Sequence, residues 1–125
     1  MNKSSKSAGQ PTRRHRNRSQ SLDSKKADLN QLASYHIDGQ KIATLHEVRD
    51  PSVPTMSLFE LTEDQRVNLV LERLRKEPDN FRIGIIGHGI IDKTRAIAEV
   101  QVRSRIGRTI MEIEHNLLLR LAEAS

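Results

Sequence analysis

The stretch from Ile106 to Leu121 constrains this chain more than any other. Ile106, Ile110, Ile113, Leu117 and Leu121 recur at spacings of four, three, four and four, which is the period of one face of an α-helix. Met111 and Leu118 widen the stripe. An apolar face of this length must be covered by the chain's own core, by a second copy or by a protein partner. The five stripe residues are therefore the candidate partner-binding surface.

The composition limits what can cover it. Hydrophobic residues make up 35% of 125 residues, with one Tyr, two Phe and no Trp. One domain's core must come from Ile, Leu and Val, and it will be thin. The absence of Cys excludes disulfides, thiolate zinc sites and a cysteine nucleophile, and fits a reducing compartment. No apolar run approaches the roughly 18 residues of a membrane span. Met1 to Gln20 is basic without an apolar stretch or an aliphatic face, so neither a secretory signal nor an amphipathic transit peptide is expected. Together these favour a cytoplasmic location.

The net charge of +5 conceals a division. Residues 1–26 carry eight Lys and Arg against Asp23, net +7, whereas the remainder carries 13 against 15, net −2. Residues 1–27 are expected to be a disordered basic tail, because they cannot bury enough surface to offset their ordering entropy. Arg13, Arg14, Arg16, Arg18, Lys25 and Lys26 are the candidate nucleic-acid contacts, to the phosphates of DNA or RNA. Lipid head groups and a purely solubilising role are the other readings. No aromatic residue lies among the arginines to stack on a base.

Residues 28–57 read as a short helix or β-hairpin followed by a Pro-containing linker. Asp28 to Tyr35 suggests a helical turn. Asp38-Gly39 between Tyr35 and Thr44 is a hairpin signal requiring positive φ at both turn residues. Pro51 and Pro54 suggest an extended connection over Arg49 to Ser57. Residues 58–125 read as a helical domain. Thr62 and Gln65 have capping-box spacing, Val67, Val70, Leu71 and Leu74 form one face, and Pro78 ends the helix. Phe81 to Ile91 reads as a buried strand or an apolar loop. Asp92 caps a further helix, although residues 98–104 alternate enough to be a strand. Ser104 to Arg108 is expected as a connection, with Thr109 and Glu112 capping the last helix, giving a terminal αα-hairpin.

The candidate chemistry is sparse. Gly84, Gly87 and Gly89 match neither the dinucleotide fingerprint nor the P-loop. His88 is the titratable residue in the most apolar sequence context. Glu112 and His115 have metal-pair spacing but no second copy, and His36 and His46 lack further ligands, so no metal and no cofactor are expected. Arg103, Arg105 and Arg108 lie in a would-be helix-turn-helix whose second helix begins with carboxylates. The expected fold is mainly α: about three helices with a terminal αα-hairpin, a β-hairpin and the basic tail. The expected function is non-enzymatic binding, as a small adaptor whose helical body docks on a protein partner or on itself while its tail contacts nucleic acid. The alternatives are a DNA-binding regulator using the C-terminal helix pair and a structural subunit of a larger assembly.

Overall fold

The computed structural model describes residues 28–123. The expected basic tail, with all of its candidate nucleic-acid contacts, lies outside the described residues. The chain begins with a hairpin of β1 (Leu32–Tyr35) and β2 (Ile42–Thr44), followed by α1 (Leu45–Arg49) and a 3-10 turn (Leu58–Glu60). Then come α2 (Glu63–Arg75), a second hairpin of β3 (Arg82–Ile85) and β4 (Gly89–Asp92), α3 (Lys93–Gln101) and α4 (Arg105–Glu123). Helices predominate, as expected, but two small antiparallel hairpins, one more than expected, make the architecture mixed rather than purely helical.

The helical turn expected over Asp28 to Tyr35 is replaced by a turn and a strand. The Asp28 carboxylate accepts from the Asn30 amide at 3.0 Å, which diverts the chain into a local turn. Leu32 to Tyr35 then pairs with Ile42 to Thr44. At the hairpin tip only Gly39 takes positive φ, +75°. Asp38 instead acts through its carboxylate, accepting from the Gln40 amide at 2.9 Å.

Thr44 ends β2 and caps α1 through a full capping box with Glu47, a helix not expected from the sequence. The expected linker after it runs back along β1. Met56 donates its amide to the Tyr35 carbonyl at 2.8 Å, and His36 bridges to Thr55.

The helix capped by Thr62 and Gln65 forms as read, with its four apolar residues buried. The Gly-rich stretch is a β-hairpin. Ile83 and Ile91 pair across it, and Gly87 and Gly89 supply the positive φ of its turn. Residues 98–101 are helical, and Val102 to Ser104 make the turn. The last helix starts at Arg105, four residues before the expected cap. Ser104 accepts from the Gly107 amide at 3.0 Å, and Thr109 is already inside the helix. Gly107 lets α4 lie directly on α3: a Cβ there would stand 2.6 Å from the Glu99 carbonyl carbon.

Two buried clusters hold these elements together. One joins α2 (Val67, Val70, Leu71, Leu74) to Ile85 and Ile91 of the second hairpin, to Ala96 and Val100 of α3, and to Ile106 and Ile110. The other joins Ala33, Tyr35 and Leu45 to Leu58, Leu61, Leu69, Leu118 and Leu121. Thus α2 and α4 each serve both clusters, and the N-terminal hairpin shares a core with the helices. A buried Leu or Ile of this kind contributes about 1.5–3 kcal/mol. Polar links reinforce the same joints. Lys93 Nζ donates to the Arg75 and Glu77 carbonyls at 3.0 and 2.8 Å, closing the end of α2, and Arg49 donates to the Leu121 carbonyl.

Candidate binding cleft

A chain of caps sets the near wall of a cleft. Ser57 and Glu60 form a capping box around the 3-10 turn, and Thr62 and Gln65 form another at the start of α2. The two caps in succession turn Leu58 and Leu61 inward and leave Phe59 outside, 70% exposed. The far wall is α4. Between the walls lies a cleft of about 550 Å³, within the range of ordinary ligand pockets. Leu58, Leu61, Leu69, Val70, Met111 and Leu118 make its floor. Its polar lining is Glu63, Arg66, Arg103, Arg108, Glu112, His115 and Asn116.

The three arginines differ in what holds them. Arg103 has φ +55°, which turns its side chain back to the start of α2. Its Nη1 meets Glu63 Oε2 at 3.2 Å and its Nη2 meets Asp64 Oδ1 at 2.6 Å. The bond it donates to Asp64 raises its pKa, against a smaller opposing effect of burial. Arg108 donates Nε to the Arg103 carbonyl at 3.1 Å, a bond that leaves its charge uncompensated. Arg66 reaches the Leu58 carbonyl only at 3.5 Å, and its Nε is shut away from water without a hydrogen-bond partner. Neither Arg66 nor Arg108 forms an ion pair with a carboxylate among the described residues. At the rim, the Phe59 ring stands edge-on to His115, with centroids 5.8 Å apart. Burial, and next the charge of Arg66, lower the His115 pKa from its ordinary value.

The candidates read from sequence fall in several places. Ile106, Ile110 and Leu121 are buried in the chain's own core, Leu117 is half-buried, and Ile113 is exposed. Arg103 and Arg108 line the cleft but Arg105 does not. Glu112 and His115 both line it, and no cluster of metal-ligating side chains occurs among the described residues. His36 Nε2 lies 3.3 Å from Glu47 without hydrogen-bond geometry, and His46 is exposed. His88 is not in an apolar setting: it sits exposed at the tip of the second hairpin.

Arg66 and the Leu58–Leu61 segment were not singled out from sequence. The available signal was Ser57-x-x-Glu60 directly before Thr62-x-x-Gln65. No helix of the described residues is long and apolar enough to cross a membrane. Compared with protein families, curated proteins and solved structures, the chain shows no match.

Proposed function

We propose that this chain is a non-enzymatic binding module. Its folded body docks a protein partner in the cleft between the 3-10 turn, α2 and α4, and its basic N-terminal segment adds non-specific attachment to nucleic acid. The observation that carries the reading is the pairing of an apolar floor with two arginines that have no carboxylate partner among the described residues. Guanidinium groups stay charged at any working pH and do not exchange protons, which suits recognition rather than acid–base chemistry. A weak tail contributes because the docked body holds it at high local concentration. The alternative in which Arg103, Arg105 and Arg108 grip duplex DNA is weakened by Arg103, which gives both terminal nitrogens to Glu63 and Asp64.

A photo-crosslinking residue at Phe59 tests the protein-binding half in cells. The expected result is one adduct that disappears in the Arg66→Glu background. Adducts from a probe at exposed Ile86 but not from Phe59 would refute the assignment. For the tail, Gln substitution of Arg13, Arg14, Arg16 and Arg18 should flatten the salt dependence of RNA or DNA affinity by about one unit of slope for each phosphate no longer neutralised. An unchanged slope would remove the nucleic-acid half.

A further inference from the structure

We infer that the segment received by the cleft is an acidic, apolar peptide of the partner, with a carboxylate on Arg66 and Arg108 and aliphatic side chains on the floor. This rests on the reading above that the body docks a protein. The lining holds three guanidinium groups against two carboxylates. Arg103 is already neutralised by Glu63 and Asp64, so the charges left to a ligand are Arg66 and Arg108 against Glu112. The Arg66 terminal nitrogen that reaches the Leu58 carbonyl does so only at 3.5 Å, so an entering carboxylate can take a shorter, charge-assisted bond from that end of the guanidinium. The floor under these charges is aliphatic, with Met111 only half-buried above the buried Leu58, Leu61 and Leu69, so an apolar side chain of the ligand meets carbon there. The chain's own N-terminal segment does not fit this role, because residues 1–26 are net +7 and would meet arginines of the same sign.

The test titrates two designed helical peptides into the isotopically labelled full-length protein. Both carry Leu at i, i+3, i+4 and i+7; one is flanked by Glu and the other by Lys. The expected result is amide shift changes centred on Leu58–Leu61, Arg66 and Met111–His115 with the Glu peptide, and none there with the Lys peptide. Arg108→Gln, an exposed change that leaves the core intact, should weaken the Glu peptide by about tenfold, the worth of one charge-assisted hydrogen bond. Arg66→Gln should do the same or more. Equal binding of both peptides would overturn the acidic assignment. Shifts confined to the second hairpin would overturn the cleft while leaving partner binding intact. Cleft shifts from dodecanoate alone, or from a short RNA alone, would also overturn the proposal. So would a dimer in light scattering that Arg108→Gln converts to monomer, since a second copy would then fill the cleft.

Discussion

Arg73 Nε and Glu114 Oε1 meet at 2.6 Å between α2 and α4, with side chains only 6% and 13% exposed. The same guanidinium donates Nη1 to Gln31 Oε1 at 3.2 Å and to the Leu32 carbonyl, so one side chain ties both long helices to β1. Removing one partner of such a pair strands the other in low dielectric. Glu114→Ala is expected to cost about 3 kcal/mol or more in urea unfolding. Arg73→Met combined with Glu114→Leu should recover more than half of that loss, the remainder being the orphaned Leu32 carbonyl. A wild-type midpoint for Glu114→Ala would show that the pair carries no stability.

Gly107 and Gly84 should respond oppositely to alanine. At Gly107 the new methyl meets the backbone of Glu99 and Val100, which cannot rotate away. Overpacking there outweighs the gain of about 1 kcal/mol in helix propensity, leaving a net loss of about 2 kcal/mol. Gly84 sits in an exposed strand without positive φ and with nothing within 4 Å of its Cβ position. Alanine there should be neutral or stabilise by about 0.4 kcal/mol through the unfolded chain. Thermal unfolding of the two variants checks both signs.

What could be read from sequence was what neighbours within four residues decide. The Thr62 cap and the Val67 to Leu74 face are local, and both form as read. Helix α1 was not expected because it is too short for periodicity; its one local signal is the Thr44-x-x-Glu47 box. The Gly-rich stretch stayed between strand and loop because its pairing is settled by Ile85 and Ile91 packing on α3. The start of α4 was misplaced because Thr109-x-x-Glu112 mimics a cap, whereas the true boundary depends on packing against Glu99. The cleft was invisible for a related reason. Arg66 looks like an outer-face residue of α2, and its isolation arises only once Leu58 and α4 close around it.

Ser104 and Thr109 therefore make a direct test of where α4 begins. Ser104 accepts from the Gly107 amide, while Thr109 donates to the Arg105 carbonyl at 3.1 Å from inside the helix. Ser104→Ala should cost about 1 kcal/mol, and Thr109→Ala should be neutral or stabilise by a few tenths. The Ser104 hydroxyl also donates to Glu99, and that bond, ahead of the Arg95 interaction, lowers the Glu99 pKa. Ser104→Ala should return the Glu99 pKa toward its ordinary value in an NMR titration. The reverse ranking of the two alanine variants would place the cap at Thr109.

His115 should make stability fall in mildly acidic solution. Burial first, and the charge of Arg66 second, hold its folded pKa below the ordinary 6.5. Between the folded and unfolded values the unfolded chain binds more protons, so stability rises with pH across that window. Full stability is expected above about pH 6.5, with loss as the pH falls through the folded value. A separate, lower drop should follow as Asp38, Glu47, Asp50 and Glu99 protonate, since all four have lowered pKa values. His115→Asn should abolish the upper step in thermal unfolding and leave the lower one. Arg66→Gln should lift the His115 pKa part of the way, because burial remains when the neighbouring charge is gone. A His115 pKa above 6.5, read from its ring proton shifts, would reverse the sign of the upper step.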